Sequence, residues 1–185
     1  MYRTSQIPST FPLDARMEEG MMERVRHSWG LVVDGSADGM KAHMDKAGVV
    51  LFYDEFFFRL FKRARVFMDV FSDPGKRGEV LMKAIGMMLR IQGTNSEREN
   101  QKLFILGKAH RFKGQLRPWM FSVYMTTCLE TLCFWLGSDA DVDTGAAWTS
   151  VAAYVLKRML LAYLPGMVVP NEYYQNSDID AVRKI

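Results

Sequence analysis

Between Met17 and Leu164 the apolar residues of this chain recur every three to four positions, and no convincing stretch alternates with a period of two. That rhythm suits helices and argues against half-buried strands. The spacing predicts a first helix over roughly 17–33, with Met22, Val25, Trp29 and Val32 or Val33 on its inward face, ended by DGSADG. A second, long apolar helix starts near Met44 and runs through LFYDEFFFRLF. Ser72-Asp73-Pro74 then offers a capping oxygen followed by proline where a helix start tolerates it. The helix it opens carries Arg77, Leu81, Ala84, Ile85 and Met88 as one stripe and stops at Gly93 to Asn95. A helical run through LFILGKAHRFKG closes at Gly114, and Pro118 opens another with Phe121, Tyr124, Cys128 and Leu132 inward. A last helix, after Asp143, carries Trp148, Val151, Val155 and Met159. About six to eight helices of unequal length with short connectors make an all-α domain, helix packed on helix.

The 185 residues suffice for one domain with a substantial core. Residues 1–16 read as a loose arm, 17–165 as the folded domain and 166–185 as an irregular tail with a short helical end at most. A net charge of +3 is too small to argue for a nucleic-acid footprint by itself, and no nucleic-acid partner is expected. The run KRAR, Lys62 to Arg65, reads as a solvated helix end, with an anion- or membrane-facing patch as the lesser alternative. No segment is apolar for long enough to insert in a bilayer, and the N-terminus lacks a signal-peptide run. The cytoplasm is the default address, a short organelle leader the alternative. Cys128 and Cys133 stand five residues apart and face different sides of a helix, so reduced, buried thiols are expected rather than a bridge. Fourteen methionines read as adaptable core filler.

Of only three histidines, His110 sits inside a helical run of leucines. Leu103, Leu106, Gly107 and His110 share one face, while Lys102, Lys108, Arg111 and Lys113 lean the other way. The imidazole therefore points toward the core, either as a satisfied core residue or as a ligand. Zinc needs three or four protein donors, and no second His, Cys or carboxylate recurs nearby at ligand spacing. The cysteines lack the CxxC spacing of a cluster, and no nucleophile–base–orienter set stands out. Haem iron asks for less: the porphyrin fills four positions, and one neutral imidazole supplies the fifth.

A series of pieces follows in order from about Val25 to Leu164: the tryptophan of VRHSWGLV, the FYDEFFFRLF block, and Phe71 ten residues beyond Phe61. Then come a helix opening at Pro74, LGKAH with its histidine, the proline-started RPWMF helix and the closing pair Ala147-Trp148. Over this span the chain resembles the globin family. The resemblance implies a globin fold around haem b (iron protoporphyrin IX) and reversible binding of dioxygen, nitric oxide or carbon monoxide, in storage, sensing or nitric oxide detoxification. It matches His110 to the proximal ligand, Phe71 to the phenylalanine stacked on the porphyrin, and Phe57 to the distal lining. Arg77 falls at the distal gate, where many globins carry His or Gln, and Leu81 at the apolar position above the iron. Leu106, Leu116 and Phe121 would pack under the ring, and Arg111 and Lys113 would reach the propionates.

Departures from the family pattern shape the expectation. The loop after the first helix is longer than usual by roughly a dozen residues, and Arg65 replaces a common proline. The FSDPGKRG corner is short, so a slip of one residue would put Lys76 at the gate instead of Arg77. Arginine has no lone pair to offer iron, so Arg77 at the gate implies a five-coordinate ferrous haem with guanidinium donors over the open side. Lysine could ligate only with a severely lowered pKa. The places of the tyrosine and glutamate that polarise the imidazole in flavohaemoglobin-like relatives hold Ala152 and Tyr163, which favours reversible binding over oxygen activation. Nitric oxide dioxygenation or a peroxidase side activity would take a separate reductase acting in trans. Two other readings stay open. One is a haem-free, globin-like interaction module with His110 in the core. The other is a bilin-binding relative, which would need a cysteine at its pocket rather than the mid-helix Cys128 and Cys133.

Overall fold

Seven α-helices form among the described residues, which in this computed structural model are 8, 11–12, 15, 17–43, 45–92, 97–114 and 116–165. They are α1 (Met21–Asp34), α2 (Gly48–Arg63), α3 (Val66–Val70), α4 (Pro74–Leu89), α5 (Glu97–Arg111), α6 (Pro118–Leu136) and α7 (Val142–Tyr163). No strand occurs among those residues, and the class is all-α. The Met44 start, the Gly93 to Asn95 stop and the tail 166–185 lie outside the described residues.

Helix ends follow capping chemistry. α1 begins four residues later than the spacing predicts, because Gly20 takes φ 79°, a left-handed turn that glycine adopts without steric cost. α4 opens as expected, with Pro74 in its first position and the Asp73 carboxylate accepting from the Gly75 N–H at 3.0 Å. Asp141, rather than Asp143, caps α7, accepting from the Thr144 N–H at 2.7 Å. The short α3 was not foreseen: Ala64 is extended and separates it from α2.

Packing centres on α7, against which α1, α4, α5 and α6 all rest, while α2 packs on α6. The stripe Trp148, Val151, Val155 and Met159 is therefore only part of what α7 buries, and every residue from Ser150 to Leu156 is buried. α1 is keyed to it by a buried hydrogen bond, the Trp148 indole N–H donating to Ser28 Oγ at 2.8 Å. Trp29 meets Phe52 of α2 edge-on at 5.2 Å. α5 lies so close to α7 that a Cβ on Gly107 would collide with the Met159 carbonyl oxygen and stand 3.0 Å from Ala162 Cβ.

The long loop after α1 has a structural task. The Asp38 N–H donates to Asp139 at 2.8 Å, and the Ser138 N–H donates to the Asp38 carboxylate at 3.1 Å, clamping the loop to the α6–α7 turn. Hydrogen bonds from Ser138 first, and then from the Lys41 ammonium at 3.1 Å, lower the Asp38 pKa to about 2.

Several local expectations change. Val32 is buried and Val33 is exposed. In the supposed loose arm, Phe11 is buried in the core. The KRAR run is not a uniform solvated end: Arg63 bonds Thr127 Oγ1 at 3.1 Å and Glu130 at 2.6 Å across to α6, and Ala64 is buried. Both cysteines are free, but only Cys128 is buried; Cys133 is exposed, because it lies with Phe134 on the outer side of α6 while Leu132 and Trp135 face the core.

Candidate functional site

The rotation of α5 against α7 decides what His110 faces. Leu103 and Gly107 are buried in that contact, and Leu106 and His110 fall at its edge, half-buried. His110 Nδ1 lies 2.8 Å from the Leu106 carbonyl oxygen, one helical turn back. A carbonyl oxygen can only accept, so the proton resides on Nδ1 and the lone pair on Nε2. Burial pushes the imidazole pKa down; the Leu106 bond works against this and the neighbouring Lys113 charge adds to it. His110 is thus a neutral imidazole with its lone pair on Nε2.

Phe121 of α6 meets the imidazole edge-on at 5.6 Å and is itself met by Tyr163 of α7 at 5.1 Å. The Tyr163 hydroxyl donates to the Leu116 carbonyl at 2.6 Å, fixing the α5–α6 connection. Leu106, Leu116 and Phe121 are all half-buried against the core. The residues expected around the histidine therefore come together.

A second group forms at the α3–α4 corner. Phe71 lies 5.4 Å from Phe57, 6.2 Å from Phe67 and 6.0 Å from Tyr124. Arg77, half-buried, donates from Nε to the Phe71 carbonyl at 2.7 Å and lays its guanidinium 5.0 Å over Phe61. Lys76 is exposed and paired with Asp73 at 3.1 Å, so Arg77 and not Lys76 is the inward residue. Leu81, one turn further along α4, is buried.

The remaining candidates stand apart. Arg111 is exposed and donates to the Pro165 carbonyl at the end of α7, and Lys113 is exposed in the turn after α5. α4 and α5 both rest on α7 but touch each other marginally at most among the described residues. α6 links the groups, since Phe121 neighbours His110 and Tyr124, three residues on, neighbours Phe71.

Tyr124 is the residue that sequence reasoning placed inward without giving it a role. Its hydroxyl oxygen is buried and has no hydrogen-bond partner among the described residues. The signal was present: a single phenol in an otherwise apolar stripe of Phe121, Cys128 and Leu132.

One neutral imidazole flanked by aromatic and aliphatic side chains suits a group that asks the protein for a single bond, as haem does. Among the described residues no three His, Cys, Asp or Glu side chains gather at metal-binding distance, and no helix is long and apolar enough to cross a membrane. No protein-family model matches the chain, nor does any curated protein or solved structure.

Proposed function

We propose that this chain is a globin that holds haem b through His110 Nε2 and binds a diatomic gas reversibly. The observation that carries the reading is the 2.8 Å bond from His110 Nδ1 to the Leu106 carbonyl, on an imidazole that burial keeps neutral. It presents the tautomer a metal needs, already oriented by its own helix. Support comes also from the packing order: α1, α4, α5 and α6 on α7, with α2 across α6, and little contact between α4 and α5.

Each residue then has a task. The Leu106 carbonyl and the Phe121 ring hold the imidazole plane. Phe57, Phe71 and Leu81 exclude water from the opposite side, and Arg77 ties the Phe71 corner to the start of α4. Arg111 and Lys113, exposed beyond His110, suit the propionate edge. Haem, when bound, would supply the iron to which dioxygen, nitric oxide or carbon monoxide binds. A reductase acting in trans would be needed for turnover chemistry.

The test is an optical series, ferric, ferrous and ferrous with carbon monoxide, on wild type and on His110→Ala. The wild type should take up haemin with a Soret band and a five-coordinate ferrous spectrum, both lost or altered in the variant. Identical spectra would remove His110 as the ligand. A haem-free interaction module draws on one observation, the exposure of Phe104, Ile105 and Phe112 at 41%, 58% and 86% on and after α5. A chain that refuses haemin altogether would favour it.

A further inference from the structure

The face of α5 turned away from α7 is apolar at its centre. Ile105, on the opposite side of the helix from the buried Leu103 and Gly107, is 58% exposed. Phe112, in the turn just past the helix, is 86% exposed, more than any other phenylalanine among the described residues. Scattered apolar side chains on a surface are ordinary, but two this bare on one short segment, with Phe104 exposed beside them, mark a surface that meets something. Cations surround them. Lys102, Lys108, Arg111 and Lys113 are all exposed, and the Lys108 ammonium stands 4.8 Å over the Phe104 ring. The carboxylates of α5 are confined to its first turn, at Glu97 and Glu99, and from Asn100 to Leu129 the sequence has five Lys and Arg and no Asp or Glu. The whole chain carries only +3, so this basic excess is local.

That combination chooses among occupants. A second copy of this chain, docked by the same face across a two-fold axis, would set cations against cations with no carboxylate of this stretch between them. The phosphates of a nucleic acid would engage the lysines but leave Ile105 and Phe112 in water. An anionic bilayer satisfies both kinds of side chain. Lipid headgroups take the ammonium and guanidinium groups, the acyl boundary takes the apolar tips, and the lysine stems lie along apolar surface with their charges in water. We infer that this outer face, Ile105 and Phe112 ringed by Lys102, Lys108, Arg111 and Lys113, adsorbs to an anionic lipid surface, with α5 lying on the interface and not crossing it. No helix among the described residues is long and apolar enough to cross. Leu106 and His110 lie on the other side of α5, at the edge of its contact with α7, so adsorption does not depend on haem.

The test is cosedimentation of the full chain with lipid vesicles. Wild type should bind phosphatidylcholine vesicles that contain phosphatidylserine and leave vesicles of phosphatidylcholine alone. Lys102→Gln/Lys108→Gln, which keeps Arg111 and Lys113 in place for the propionates, should weaken that binding roughly 25-fold, about fivefold for each cation near a charged surface. Ile105→Ser/Phe112→Ser should weaken it roughly tenfold or more. All four positions are exposed, so these variants should keep the circular dichroism and urea midpoint of wild type. Phe58→Ser removes another bare phenylalanine, 61% exposed beside Lys62 on α2, and should bind as wild type does. Wild type that stays in solution when phosphatidylserine is present, whether it self-associates or retains single-stranded RNA instead, overturns the lipid assignment. So does equal binding to both kinds of vesicle, or an equal loss in Phe58→Ser. A chain that takes up no haemin yet binds the charged vesicles removes the haem reading and leaves this one standing.

Discussion

The same substitution, glycine to alanine, should act with opposite sign at two helical positions of this protein. In the interior of α1, a Cβ built on Gly30 meets nothing within 4 Å. Gly30→Ala should therefore stabilise by about 0.5–1 kcal/mol, the ordinary gain from restricting the unfolded chain and improving helix propensity. At Gly107 the same carbon would stand 3.0 Å from Ala162 Cβ and 3.1 Å from the Met159 carbonyl carbon, with the Met159 oxygen nearer still. None of these atoms can rotate aside, so α5 must back away from α7. Overpacking of this kind costs about 1–3 kcal/mol, against which the propensity gain is deducted, leaving a net loss of about 1–2 kcal/mol. The two variants should thus differ by roughly 1.5–3 kcal/mol, or roughly 3–12 °C in Tm for a domain of this size. Urea denaturation of the haem-free protein, followed by far-ultraviolet circular dichroism at constant slope, reads the difference directly. Because His110 lies one turn beyond Gly107, the displaced helix should also hold haemin less firmly. Equal stability of the two variants would refute the close α5–α7 approach and, with it, the orientation assigned to the imidazole.

Ser28→Ala strands the buried Trp148 indole N–H, now bonded at 2.8 Å, and should cost about 1–2 kcal/mol in urea after the helix-propensity gain; a change within about 0.5 kcal/mol would count against that bond. The folded-state pKa of His110 lies below its reference value of 6.5, so the unfolded chain takes up that proton first. Haem-free stability should be complete above about pH 6.5 and decline as pH falls below it, with His110→Gln flattening that decline; parallel curves for the two proteins would contradict the burial. Cys133 is exposed, its thiol pKa raised by partial burial and by the Glu130 charge, whereas full burial pushes the Cys128 thiol up to about 12. A thiol reagent should therefore find one fast cysteine in the native chain and two after unfolding, and two fast thiols in the native state would mean that α6 is open.

Much of the candidate site follows from local rules. The bond from His110 to Leu106 joins residues four apart, a distance that any α-helix closes, while the helical run LFILGKAHRFKG points the imidazole toward the core and the structure leaves it half-buried at the edge of the α5–α7 contact. The Asp73 cap and Pro74 start are equally local. Other residues changed roles because their partners lie far away in sequence. Arg63 seemed one of a basic run until Glu130 and Thr127 met it from α6. Arg77 belongs by spacing to the stripe of Leu81 and Ile85, but only the folded corner brings the Phe71 carbonyl to its Nε. Phe11 looked like part of an arm because periodicity cannot see a single aromatic anchoring in the core.

What the chain determined by itself is its class, the proline-marked starts of α4 and α6 and a buried stripe on its long helices, since each depends on residues within a turn or two of one another. Tertiary structure decided how many sides of a helix are covered, as in α7, where four neighbouring helices bury faces that no single stripe could announce. It also decided which polar atoms are matched: Trp148 finds Ser28 from 120 residues away, and Tyr124 is left with none among the described residues. Solvation and partnership are properties of the surroundings, and the surroundings exist only once distant segments have packed.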